Sequence, residues 1–172
     1  LTHVYKKENF NNEGFKHRIL EVFQDDFFSN SLLVENKIQS DLGDIKLRGF
    51  ISIPSYNKVN QSYQFLFVNG RPVQDRGLSA VIRLSYRDTL PRARHPLYCL
   101  MLDLSNDQID VNVHPTKLEV KFQNYEFLKS FVINSITKAL QIKKNNKISK
   151  TFNILEISDN IPSHKSKLEE QT

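Results

Sequence analysis

Apolar positions along the chain follow two periods, and the switches between them mark the elements. In residues 14–24, Phe15, Ile19, Val22 and Phe23 stand at i, i+4, i+7 and i+8, the stripe of a short amphipathic helix. Strand-like runs follow at Ser31–Ile38, residues 45–53 and residues 63–68. In the second of these, Ile45, Leu47, Gly49, Ile51 and Ile53 alternate with Lys46, Arg48, Phe50 and Ser52, the period of a half-buried strand. Asn69-Gly70 then separates Phe65-Leu66-Phe67-Val68 from Arg71-Pro72-Val73. That dipeptide tolerates the positive φ angles of a two-residue turn, so the spacing predicts a hairpin.

Asp75 is placed to cap a helix reaching about Thr89, whose Leu78, Val81, Ile82 and Tyr86 share one side and face the sheet. An apolar strand is expected at residues 97–104, then a polar turn at Ser105-Asn106-Asp107. Short extended pieces at 109–113 and 119–122 flank a loop at His114-Pro115-Thr116-Lys117. Asn124 can cap a last long helix with Phe127, Leu128, Phe131, Val132, Ile136, Ala139 and Leu140 on one broad face. Its periodicity fades after Lys144, and residues 145–172 read as the start of a flexible linker. The pattern is that of an α+β domain, a mixed sheet with helices packed on it.

Composition narrows the class. The 172 residues are 39% hydrophobic and 25% charged, the balance of a globular chain. No apolar run approaches the roughly 18 residues of a membrane span. A single cysteine, Cys99, excludes an internal disulfide framework and fits a reducing cytoplasm. The chain begins at Leu1 on a strand-like stretch, as a piece of a longer protein would. Its five glycines lie nowhere closer than six residues apart, so a glycine-rich phosphate cradle is absent from the sequence.

Charge is unevenly spread. The tail from residue 145 holds four lysines and four acids, so the net +5 belongs to residues 1–144. Between Arg71 and Arg94 six arginines face two acids, a net +4 in 24 residues. At about 100° per residue, Arg76, Arg83 and Arg87 fall in a stripe roughly 40° wide. Chemistry alone leaves two readings, a solvated helix face or a surface for phosphate backbones. No base-stacking aromatics interleave with these arginines, so any nucleic-acid contact would be backbone-directed and steeply salt-dependent.

The richest stretch is Asp110-Val111-Asn112-Val113-His114-Pro115-Thr116-Lys117-Leu118-Glu119-Val120-Lys121-Phe122. Pro115 disfavours helical geometry at His114, so the chain turns and offers Lys117 as a point charge suited to a phosphate oxygen. By chemistry alone an ordinary exposed surface lysine is the better reading. The carboxylates Asp103, Asp107 and Asp110 lack any ligand-loop spacing, and five scattered histidines with Cys99 make no zinc arrangement. No metal site is expected.

This stretch resembles the DVNVHPxKxEVxF signature of the MutL family of DNA mismatch-repair proteins, with Lys121 where the family usually has arginine. Phe67-Val68-Asn69-Gly70-Arg71-Pro72-Val73 resembles that family's FVNGR hairpin, at a fitting distance upstream. The resemblance covers about residues 1–142 and implies a transducer domain of the ribosomal protein S5 domain 2-like fold. Residues 1–10 would be the terminal strand of a preceding GHKL-type ATPase domain, 11–144 the transducer and 145–172 the linker. It implies that Lys117 contacts the ATP γ-phosphate in the adjacent domain, supported by Asp110, Asn112, His114 and Pro115. It also implies DNA contact at Arg76, with Arg71, Arg83 and Arg87 beside it.

The resemblance further implies ATP with Mg²⁺ as the parent's cofactor, none being held by this fragment alone. The partners implied are DNA, the chain's own GHKL domain, a MutS-type mismatch-recognition protein and a second copy of the parent. Two other readings stand beside this one: the transducer of another GHKL protein, of the type II topoisomerase or Hsp90-like kind, and a plain nucleic-acid binder. An autonomous ATPase does not fit, since no glycine-rich lid occurs in the chain.

Overall fold

The structure, a computed structural model, describes residues 17, 19–23, 26–41, 43–110 and 121–159, with the side chains of the last helix as far as Ile142. Residues 19–22 are helical, and a one-turn helix α1 (Asp26–Ser29) follows. Five strands build the main sheet in the order β1-β2-β7-β4-β5. They are β1 (Ser31–Ile38), β2 (Ile45–Ser52), β4 (Gln64–Val68), β5 (Arg71–Val73) and β7 (Tyr98–Leu104). β4 runs parallel to β7 and every other pairing in this sheet is antiparallel. Two ribbons complete the strands: β3 (Asn57–Lys58) with β6 (His95–Pro96), and β8 (Ile109–Asp110) with β9 (Lys121–Phe122).

Register explains the core. Val34, Gly49, Leu100, Leu66 and Val73 form one row across the five strands, and alternate residues reach the same face. On that face Ile45, Leu47, Ile51, Leu100 and Leu102 are buried against helices α2 (Arg76–Leu84) and α3 (Tyr125–Asp159). Leu78, Val81, Ile82 and Tyr86 enter this core, as the periodicity predicts. The opposite face carries a second, aromatic cluster: Ile19, Phe23, Phe27, Leu97 and Cys99, with Phe28, Phe50, Tyr56, Tyr63 and Phe65 packed around them. A central strand covered on both faces needs apolar residues at nearly every position, which is why β7 reads as an unbroken run. The α+β expectation of a mixed sheet with helices packed on it is what the structure shows.

Three elements differ from the periodicity. Helix α2 stops at Leu84, before the expected Thr89. There the amides of Tyr86 and Arg87 donate to the carbonyls of Arg83 and Leu84 at 3.0 and 3.1 Å, the i→i+3 bonds that tighten and end a helix. Helix α3 continues to Asp159, so the first part of the expected linker at 145–172 is helical. Neither glycine nor proline occurs between Tyr125 and Asp159, and propagation costs little once a packed turn exists. Val22, expected on the buried stripe of the first helix, is 51% exposed while Ile19 and Phe23 are buried; the sheet meets only the Ile19–Phe23 edge.

The chain divides into two compact units, Leu1–Leu140 and Gln141–Thr172. The terminal strand expected at 1–10 lies outside the described residues. No helix among the described residues is long and apolar enough to cross a membrane.

Candidate functional site

The predicted hairpin forms, with Val68 opposite Arg71 and both turn residues at positive φ, 49° at Asn69 and 77° at Gly70. Asn69 does more than turn. Its amide side chain donates to the Leu104 carbonyl at 2.9 Å and accepts from the Leu104 amide at 2.7 Å, while its own backbone N–H donates to Leu102. The side chain acts as one further residue of β4 against the end of β7. Sequence reasoning credited Asn69 with a turn role alone; the second role depends on β7 lying beside β4, a non-local pairing.

That hairpin delivers the chain to Asp75, whose carboxylate accepts from the Leu78 amide at 2.8 Å and caps α2. The cap fixes the helix start, and the buried Leu78–Val81–Ile82 side fixes its rotation, so Arg76 projects into solvent. Arg83, two turns further on, is half-buried and reaches the Pro91 carbonyl at 3.5 Å. Arg87 lies beyond the helix end, exposed and 3.6 Å from Asp88, so the three-arginine helical stripe reduces to Arg76 and Arg83 with Arg87 in the following turn. Arg71 is exposed on the edge strand β5. Between residues 45 and 102 the chain carries nine lysines and arginines against Asp75 and Asp88 alone, a net +7 in a chain whose total is +5.

The signature run begins and ends on paired strands. Ile109 is opposite Phe122 and Asp110 opposite Lys121, and the Gln123 amide donates to the Gln108 carbonyl at 2.9 Å. The two ends of the run are therefore held side by side, at the start of α3. Lys117, Asn112, His114 and Pro115 lie outside the described residues; of the loop set, only Asp110 is described. Beneath this ribbon a shallow pocket is lined by Ile45, Leu104, Gln108, Phe122, Asn124, Phe127 and Leu128.

The two regions meet at α3. Tyr125 stacks obliquely on Phe122 with centroids 6.4 Å apart. Its phenol pKa is raised, first by burial and then by the charges of Asp75 and Glu126. Its hydroxyl also borders Gly77, where a Cβ would stand 2.7 Å from it. One ring thus touches the stem of the signature run and the capped start of the arginine helix.

A family model described as "DNA mismatch repair protein, C-terminal domain" matches residues 19–141. Among curated proteins, DNA mismatch repair protein MutL of Rickettsia bellii (strain RML369-C) is 38% identical over 132 residues, 77% of this chain and 21% of its own length. The protein of the same name in Rickettsia felis (strain ATCC VR-1525 / URRWXCal2) is 37% identical over 142 residues, 82% of this chain and 23% of its own. The chain thus spans under a quarter of the length of these relatives. Among solved structures, the N-terminal domain of a DNA repair protein superposes with a TM-score of 0.63 at 22% identity, over 75% of this chain and 41% of that one. That likeness concerns the fold, in keeping with the S5 domain 2-like architecture.

Proposed function

We propose that this chain, which belongs to the MutL family of DNA mismatch-repair proteins, serves as its transducer domain, joining a nucleotide contact to a DNA contact. Family membership sets aside the topoisomerase-like and Hsp90-like readings and that of a plain nucleic-acid binder. In this reading Lys117 reaches the γ-phosphate of a nucleotide held by an adjacent GHKL-type ATPase domain. Arg76, with Arg71, Arg83 and Arg87, meets the DNA backbone. A MutS-type protein and a second copy of the parent are the further partners.

The observation that carries the reading is the β8–β9 ribbon, which gathers both ends of the signature run next to the helix that also touches the start of α2. The sparse glycines suit a chain that contributes to a nucleotide site and does not enclose one. ATP with Mg²⁺, when bound in the parent, supplies the phosphoryl group that water cleaves off. A lysine arriving from a second domain contributes a fixed positive charge where negative charge builds up. It also senses whether the third phosphate is there.

Lys117→Ala in the full-length parent is expected to lower ATP turnover by about 10²-fold, the scale of one lost charge-stabilising group. Thermal unfolding should not shift. Normal turnover in a normally folded variant would remove Lys117 from the phosphate role.

A further inference from the structure

Beyond the end of α2, positive charge continues onto a part of the fold that neither the motifs nor the arginine stripe includes. The β3–β6 ribbon sets Lys58 directly opposite His95, so their side chains share one face of the ribbon. The Lys58 ammonium lies 5.8 Å from the ring centre of Tyr56 and 6.0 Å from that of Tyr63. His95 Nδ1 is 3.4 Å from the Gln61 amide nitrogen. The Arg83 charge reaches the His95 ring: its pKa is lowered, first by burial and then by that arginine. Arg94, exposed, immediately precedes His95.

The sequence from Ile45 to Gln74 contains no acidic residue. Among the described residues, the ion pairs engage Arg48, Arg87, Lys129 and His17, with none at Lys58, Arg71, Arg76, Arg83 or Arg94. Cations held side by side without internal counter-charges recruit solution anions, and releasing those anions' counterparts from DNA is what drives backbone binding. Arg76 and Arg83 are separated by about 10 Å along the helix axis. At roughly 3.4 Å of rise per phosphate, that distance corresponds to about three phosphates of one strand. Arg83 then hands over to His95 and Lys58.

We propose that the DNA path runs off the end of α2 onto the β3–β6 ribbon, where Lys58 and His95 hold backbone phosphates next to those held by Arg76 and Arg83. This rests on the reading of α2 as a DNA surface, and it adds a second element to the site. The aromatic pair holds the Lys58 ammonium near both ring faces, so the lysine acts as a positioned charge.

The test is a salt titration of binding between the 172-residue chain and a labelled DNA duplex, with Arg76→Gln, Lys58→Gln, His95→Gln and Lys58→Arg, each checked for unchanged circular dichroism. Lys58→Gln is expected to weaken binding and to reduce the slope of log K against log salt by about 0.9, one phosphate contact. His95→Gln should weaken binding mainly at acidic pH, where the ring is charged, and Lys58→Arg should restore the parent slope. Loss of slope in Arg76→Gln with a parental slope in Lys58→Gln would overturn the ribbon while leaving α2 in place. Absence of salt-dependent binding in the unmodified chain would overturn the DNA reading, and the ribbon with it.

Discussion

Asn69 shows how much one side chain does at this site. A type I′ turn needs positive φ at its first central residue, and asparagine tolerates that better than most. The carboxamide also satisfies both backbone groups of Leu104 at the end of the sheet. Asn69→Ala would lose the conformational preference and leave a half-buried N–H and C=O without partners, a cost of about 1–3 kcal/mol. Asn69→Gly keeps the turn and loses only the Leu104 bonds, so it should fall between parent and alanine in urea unfolding. Equal stability of the glycine and alanine variants would show that the side-chain bonds are inert. Because the same hairpin leads straight into the Asp75 cap, the alanine variant should also weaken DNA binding by loosening Arg71 and Arg76.

At the scale of elements, the strand β2 carries its own test. Gly49 occupies an apolar-phase position of the alternation, which reads as a weak residue in a good strand. In the structure it has φ +143°, and a Cβ there would run into the Cys99 carbonyl on β7. The obstacle is backbone, so no side-chain rotation relieves it. Gly49→Ala is expected to cost more than about 2 kcal/mol, the range of overpacking plus strain, read as a lower midpoint in denaturant. A shift within error would mean the sheet flexes there.

Elements of this kind also show which parts of the molecule the amino-acid order reveals. The strands at 31–38, 45–52 and 98–104, the Asn-Gly hairpin and the Asp75 cap all follow from local period or local hydrogen-bonding chemistry, and each is found where expected. The parallel β4–β7 pairing, the β3–β6 ribbon and the meeting of Tyr125 with Gly77 are assembled across long stretches of chain. Nothing in a window of ten residues encodes them. The same division holds for the proposed site. Arg71, Arg76 and Arg83 could be named from their clustering, and Lys117 from its motif. Lys58 and His95 could not, because a lone lysine and a lone histidine become a basic pair only when β3 meets β6. Arg87 falls on the helix by periodicity alone, whereas residues 85–89 form tightened turns.

For the whole molecule, the sheet separates two cores and Cys99 lies in the second of them, on the central strand. Burial pushes its thiol from the ordinary 9.0 up to about 12. Burial likewise raises Tyr86 and Tyr98; Tyr86 donates to the Ser52 carbonyl at 2.6 Å and Tyr98 to the Ser79 hydroxyl at 3.4 Å. All three are neutral in the folded state and ionise more readily once exposed. Unfolding at alkaline pH therefore releases protons, and the unfolded state binds fewer of them. The stabilisation is complete below the unfolded values and is lost as pH rises toward the folded ones. Unfolding free energies from urea titrations should hold steady to about pH 8.5, then fall by up to roughly 1.4 kcal/mol per pH unit as the thiol alone contributes. Above about pH 10 the decline should steepen as the two phenols join. Cys99→Ala should delay the onset of the decline to the tyrosine range, and native-state alkylation of Cys99 at pH 8 should be no faster than global opening allows. An unchanged onset in the alanine variant, or rapid alkylation of the folded protein, would place Cys99 outside the aromatic core.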